Sequence, residues 1–345
     1  MRPEDRLLFA CARQNFSDTY RQNVLDICRC EEIDWHVVCS TARLHGVAPL
    51  IYSNLLQCIP LDLSIPQDIL DRFKICRYRN IVRKEQRAER LTQALAYFDR
   101  KSIDVMLIKG VALDILVYNQ PWYTVPHDVD LVLRPRGEEI PDETKIETMT
   151  FLHGSGIEFD YFAHHDVVIN GALPIDFQRI WGDASRTKVG GQDVFLMSPE
   201  DMLMSVCINS CRKRFFRLKS LCDVAEVINR YPDIKWEELT TRAKAYDCNS
   251  IIYTALLVTK MTVGCKLPPG LFNDLEVNPI RAGVIDRLVR HLSQHSSLDS
   301  LYPFSGTQVF GREVNLAVML PYATYRGYQV GRKLKEIYCA WRGEG

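Results

Sequence analysis

Two aspartates, Asp128 and Asp130, stand one residue apart in the apolar run DVDLVL (128–133). On a strand successive side chains alternate, so both carboxylates are expected on one face, with Val129, Leu131 and Leu133 on the other. Neighbouring carboxylates repel each other and resist leaving water; they are tolerated when wet, protonated or holding cations. Held a few ångströms apart they suit Mg²⁺, which takes one or two carboxylates and completes its octahedron with water and phosphate oxygens. An edge strand with a hydrated face is the other reading of the pair.

The surrounding residues favour the cation. LIKG (107–110) closes a predicted strand, and a helix is predicted to start directly after Gly110. Gly110 lets backbone approach a ligand closely, and the free N–H groups of a helix start favour phosphate. Lys109 adds a point charge on the same side. Downstream, FAHHDVVIN (162–170) and LPIDFQ (173–178) read as the arms of a hairpin turning at Gly171-Ala172, which puts Asp176 on its second arm. A third carboxylate from a neighbouring strand would give two metal ions the ligands for in-line phosphoryl transfer. Within the first arm, His164 or His165 is a candidate proton acceptor, with surface histidines as the alternative.

Two basic clusters could meet an anion. In CRKRFFRLK (211–219), Lys213 and Arg217 fall one helical turn apart and Lys219 follows. These three are candidates to face a phosphate chain from a helical lobe, and a solvated face is the alternative. Arg79, Arg83, Arg87 and Arg90 recur at helical spacing, but Glu85 and Glu89 interleave with them, which argues against a nucleic-acid track.

The elements that must position these groups are legible in outline. Apolar residues recur at three- and four-residue spacing through the first hundred positions, with a loop between Pro60 and Pro66. Short strands are predicted at SIDVMLIKG and DVDLVL, with the helix VALDILVY and a Pro-punctuated loop between them. From MSPEDMLM the chain is predicted helical to its end, with Ser198 as N-cap, Pro199 at the first helical position and a turn-rich break at LPPG (267–270). IDWHVVCSTARLHGVAPLIYSNL (33–55) and IKWEELTTRAKAYDCNSIIYTAL (234–256) align without gaps, which predicts two similar helix-turn-helix units flanking the αβ segment.

Composition bounds the rest. The 345 residues are 47% hydrophobic and 25% charged, enough chain for two or three lobes. Lys+Arg and Asp+Glu both total 43, so no global field draws the chain to nucleic acid or membrane. No run is long and apolar enough to span a bilayer, and the N-terminal MRPEDRLLFACARQ lacks a signal-peptide core. Twelve cysteines without an export signal predict reduced thiols in a cytoplasm. The closest spaced, Cys28 with Cys30 and Cys207 with Cys211, read as core residues rather than a zinc site.

These segments together resemble a family of uncharacterised bacterial nucleotidyltransferases within the DNA polymerase β-like superfamily. The 107–134 block resembles that family's "LKG, apolar helix, Tyr, loop, D-h-D-h-h-h" pattern, where h is apolar. The 33–55 segment is similar to its "W, A, HGV, PL, Y, L" pattern, and LMSPEDMLMSVCINSCRKRFFRLKSLCDVAEVI to its "L-S-P-E-D, helix, basic-aromatic turn, D-h-A" pattern. The resemblance implies an α+β chain: a polymerase-β-like palm with a small mixed sheet (99–198) between a helical N-terminal lobe (1–98) and a helical C-terminal lobe (199–345). It implies an NTP donor, Mg²⁺ or Mn²⁺, and transfer of a nucleotidyl group with pyrophosphate leaving. Asp128, Asp130 and Asp176 match the catalytic and metal-binding acids, and Lys109 and Gly110 the phosphate-side motif. Asp223 matches an acid of the helical segment that would orient a cation. Thr124 stands where the family usually has Arg, Gln178 where it often has His, and Asn209 at a position commonly His. The acceptor is expected to be a small molecule, peptide or protein rather than nucleic acid. A nucleotide- or partner-binding module without chemistry is the alternative, and a metal-dependent phosphohydrolase a third reading.

Overall fold

The computed structural model describes residues 1–125, 129–137, 147, 151, 159–162, 173–212 and 217–295. Helices α1 (Pro3–Cys11), α2 (Asp18–Cys30), α3 (Trp35–Leu44) and α4 (Ala48–Cys58) lead into the 34-residue helix α5 (Gln67–Arg100). Then come β1 (Ile103–Leu107), α6 (Lys109–Leu116), β2 (Val129–Pro135), β3 (Phe159–Phe162), α7 (Phe177–Asp183), β4 (Ser185–Val189) and β5 (Gln192–Leu196). Helices α8 (Pro199–Arg212), α9 (Leu218–Arg230), α10 (Trp236–Ala245), α11 (Asn249–Met261), α12 (Leu271–Asp274) and α13 (Pro279–His295) complete the described chain. The chain is therefore α+β, with a small mixed sheet among many helices, as expected.

The sheet runs β3-β2-β1-β5-β4. Antiparallel pairing joins β1 to β2 and β4 to β5, and parallel pairing joins β1 to β5 and β2 to β3. Alternation sorts its side chains onto two faces. Val105, Leu107, Val129, Leu131, Leu133, Val194 and Leu196 form one core with Leu91, Ala94, Leu95 and Phe98 of α5, whose helical spacing makes an apolar stripe. On the other face Met106, Val132 and Phe195 join a larger core that reaches from Leu7 in α1 to Val289 in α13. The N-terminal half of α5 packs elsewhere: Phe73 stacks on Tyr52 of α4 with centroids 5.9 Å apart. One helix of about 50 Å thus ties the first helices to the sheet.

One expectation is corrected. LPIDFQ is not a strand: Asp176 is the N-cap of α7, its carboxylate accepting from Arg179 N at 3.0 Å. The reason is the period, because Phe177, Ile180 and Trp181 bury at i, i+3 and i+4. The proposed first arm, with His164 and His165, lies outside the described residues. The hairpin that is present, β4–β5, turns on Gly190 and Gly191 at φ 56° and 83°, the mirror-image geometry that two-residue turns need. The predicted repeat is observed: α3–α4 and α10–α11 start at Trp35 and Trp236. None of the eleven described cysteines is in a disulfide, and burial pushes the Cys211 thiol up to about 12.

Gly190 is held by two constraints, its positive φ and a Cβ position that would collide with the Thr92 side chain. Gly190→Ala should cost roughly 1–3 kcal/mol, read as a lower midpoint in thermal unfolding. Adding Thr92→Ala should recover only a fraction of the loss, because the Thr92 Cβ itself lies 2.8 Å from the added methyl and the positive φ remains.

Candidate functional site

Asp130 lies on β2, on the face opposite Val129 and Leu131, and is 3% exposed. A carboxylate this enclosed needs a counter-charge, and Lys109 supplies it: its Nζ pairs with Asp130 Oδ1. The backbone builds the pair. Ile108 N donates to Asp130 O at 3.2 Å, which continues the β1–β2 ladder one residue past β1. Lys109 then adopts a left-handed φ of 51°, uncommon for a side-chain-bearing residue, as α6 begins. Gly110 follows, and the space its Cβ would fill holds no protein atom within 4 Å. Packing therefore does not demand glycine there. The gap sits beside the first turn of a helix whose N-cap supplies no side-chain bond.

The loop from α6 to Asp128 is held from three directions. Buried Asn80 of α5 donates its amide to Trp122 O at 2.6 Å and to Thr124 O at 2.9 Å. Arg77 lies over the Trp122 ring, 4.2 Å from its centroid. Val125 N donates to Gly46 O at 3.3 Å. Asp128 itself is outside the described residues, so its side chain is not placed. Among the described residues no three His, Cys, Asp or Glu side chains gather as a cation site.

Behind this loop lies a cluster of charges that the motif reading missed. Lys84 of α5 pairs with Asp114 of α6, whose other oxygen receives the Thr124 hydroxyl at 3.5 Å. Lys219 of α9 pairs with Asp223 at 2.7 Å, and Asp223 also accepts from Tyr118 Oη at 2.7 Å. Burial works against the Lys219 charge, but Asp223, with Asp114 beyond it, outweighs burial and holds the ammonium above the ordinary lysine value. The stability from that pair is thus present at neutral pH and lost only as pH rises through the raised value. In the Lys84–Asp114 pair burial dominates both partners, pulling Lys84 down and pushing Asp114 up despite their attraction. One signal was available: Asp114 is the single charge in the apolar helix VALDILVY.

The remaining candidates divide. Lys219 is committed to Asp223, with its side chain 15% exposed. Asp223 pairs with Lys219 and Tyr118 in a buried network. Lys213 lies outside the described residues. Arg217 does not continue a helix from it: α8 ends at Arg212 and Arg217 is the extended N-cap of α9. The Arg217 Nε is buried and has no hydrogen-bond partner among the described residues, the kind of orphan donor a phosphate oxygen satisfies. Asp176 is exposed at the start of α7. That helix packs on the Asp130 face of the sheet: Trp181 meets Phe195 edge-on, and Arg134 of β2 lies 4.1 Å over the Trp181 ring. Sheet register adds an acid not singled out from sequence, since Asp160 on β3 is the parallel partner of Asp130. A cavity of about 450 Å³ opens between α5 and α6, bordered by Lys84, Val111, Asp114, Trp122 and Val129.

Comparison with known proteins bears on this arrangement. The model of a family described as an uncharacterised nucleotidyltransferase matches residues 31–264, more than half of the chain. The chain belongs to that family. No curated protein and no solved structure matches it. The matched span starts just before α3 and ends after α11, so it takes in both helical hairpins, the sheet, and every candidate residue named above. None of the described helices of this nucleotidyltransferase is long and apolar enough to cross a membrane.

Because burial outweighs attraction in the Lys84–Asp114 pair, removing one partner should be worse than removing both. Asp114→Leu should lose roughly 3–5 kcal/mol in denaturant unfolding. The double variant Lys84→Met/Asp114→Leu should recover most of that loss, and a double variant no more stable than Asp114→Leu would refute the account.

Proposed function

We propose that the chain moves an NMP from an NTP to an acceptor, releasing pyrophosphate, on a polymerase-β-like palm formed by the sheet and its attached helices. The observation that carries this reading is the buried Asp130 carboxylate at the head of β2, balanced by Lys109 and lying next to the open space at Gly110. The donor set fits a hard divalent ion, because carboxylate oxygens are what Mg²⁺ and Mn²⁺ take. Asp130 and Asp128 would hold it, with Asp176 as the third acid and Asp160, by register, as a further candidate. Such an ion would acidify an acceptor hydroxyl and offset the charge of the triphosphate.

The chain's own residues do the rest of the work. Lys109 orients the Asp130 carboxylate through their ion pair. It is one side-chain rotation from the phosphates that the start of α6 and Gly110 would cradle, and Arg217 would offer its unpaired Nε to the same chain. The loop is pinned at Trp122, Thr124 and Val125, ahead of Asp128.

The exposure of Asp176 off the sheet favours a second reading, a nucleotide-binding or partner-binding module with little chemistry. Calorimetric titration with each NTP and Mg²⁺, together with a pyrophosphate-release assay, separates the two. Metal-dependent binding of one NTP is expected, lost in Asp128→Asn/Asp130→Asn, and Asp128→Asn alone should abolish turnover with the fold intact. Binding without pyrophosphate release, whatever acceptor is supplied from cell extract, would select the module. Full activity in Asp128→Asn would sink the transfer mechanism.

A further inference from the structure

The duplicated segment folds as two copies of one turn. His45 N and Tyr246 N donate to Thr41 O and Arg242 O, both at 2.9 Å. Gly46 N and Asp247 N donate to Arg43 O and Lys244 O at 3.1 and 3.0 Å. Val47 N and Cys248 N donate to Ala42 O and Ala243 O at 3.0 and 2.8 Å. Gly46 and Asp247 share a left-handed backbone, φ 72° and 51°. Asp247 therefore keeps, without glycine's freedom, a conformation that the first copy reaches with glycine. Likeness at this level, bond for bond, is more than two amphipathic helix pairs need in order to pack.

Each turn also reaches out with polar atoms to a segment that carries a candidate acid. In the first copy Gly46 O receives Val125 N at 3.3 Å, three residues ahead of Asp128. His45, buried at 1% exposure, receives Leu218 N on Nδ1 at 3.1 Å and Lys219 N on its carbonyl at 3.3 Å. The start of α9 is thereby fixed to the same turn. In the second copy Tyr246 Oη receives Arg179 Nε at 3.0 Å. Arg179 is the residue whose backbone N–H binds the Asp176 carboxylate, and its guanidinium also donates to Asp201 at 2.8 Å. Asp201 is itself locked to Ser198 in a reciprocal cap at the start of α8.

We infer that the two hairpins form a two-point clamp on the palm, the turn at His45–Gly46 setting the loop that leads to Asp128 and the turn at Tyr246 setting Asp176 through Arg179. This assignment gives His45 and Tyr246 the part of positioning residues, and it rests on Asp128 and Asp176 being site acids as proposed above. Besides their apolar packing, these turns present a carbonyl to the loop before β2, a phenol to Arg179 of α7 and an imidazole nitrogen to the start of α9.

Hydrogen exchange on the full-length chain tests the clamp without requiring activity. Tyr246→Phe keeps the ring and removes only the acceptor, so amides of residues 174–180 should exchange about tenfold faster while those of α10 and α11 stay unchanged. His45→Leu, which removes the acceptor for Leu218 N, should do the same for residues 218–220 and, through the shifted Gly46 carbonyl, for residues 123–125. His45→Asn, whose amide oxygen can stand in for Nδ1, should restore the wild-type rates. Faster exchange confined to the variant's own hairpin, spread evenly over the chain, or absent from both acid-bearing segments would overturn the inference. Mg²⁺–NTP calorimetry on the same proteins keeps the two claims apart. Weaker binding in the variants is expected, whereas no NTP binding by the wild type would remove the functional reading and leave the exchange rates to decide the clamp.

Discussion

A carboxylate taken out of water at the head of a strand must be met by a cation, and much of this molecule follows from that requirement. Asp130 is enclosed because β2 is flanked by β1 and β3. Its counter-charge must come from close by, and the nearest backbone is the exit from β1. Placing Lys109 there costs a left-handed residue, roughly 1–2 kcal/mol for a residue other than glycine. The cost is accepted at the one point where strand, helix start and carboxylate coincide. An ion pair of this kind is poor evidence for stability, since desolvation consumes most of the attraction.

The helical parts extend the same logic inward. Lys84 and Lys219 come from helices far apart in sequence, and each meets a carboxylate beneath the loop that leads to Asp128. An apolar filling of the same volume would cost less to bury. What the charged version adds is direction, because Asp114 must face both Lys84 and Thr124, and Asp223 both Lys219 and Tyr118. Each carboxylate thereby fixes the angle of α6 and of the chain after it. Lys219, which the basic cluster suggested for phosphate, is used as internal structure instead, whereas the buried Nε of Arg217 has no hydrogen-bond partner among the described residues.

Much of this was legible in the sequence where a short-range signal coincided with a single outcome. β1, α6 and β2 were expected because strand alternation and helical spacing change cleanly at Gly110 and again after the Pro-rich loop. Ser198 announced its helix through a cap. The αα repeat was visible because its apolar and aromatic positions share one offset. LPIDFQ misled because six residues cannot distinguish a strand from the first turn of a helix, and the deciding apolar residues, Ile180 and Trp181, come after it. The β4–β5 hairpin was overlooked although Gly190-Gly191 is a hairpin signal in its own right. Asp160 could not be singled out at all, since its place beside Asp130 is a matter of sheet register between segments nearly thirty positions apart, and no local pattern encodes that.

Thr124 shows how a departure from a motif can be absorbed rather than lost. Where the resemblance leads one to expect a long cation on the loop, the chain has a short hydroxyl, buried at 2% exposure. An arginine side chain would have no room at that buried position without displacing Lys84 or Asp114. The positive charge near the loop instead arrives from α5, through Lys84 on Asp114, and Thr124 joins the pair by a hydrogen bond. Helix α5 also carries Asn80, which holds the backbone on either side of Tyr123. A single rigid helix therefore supplies both the charge beneath the loop and the hydrogen bonds that set its path. The Thr124 hydroxyl is thereby one member of a buried polar group shared by α5, α6 and the loop.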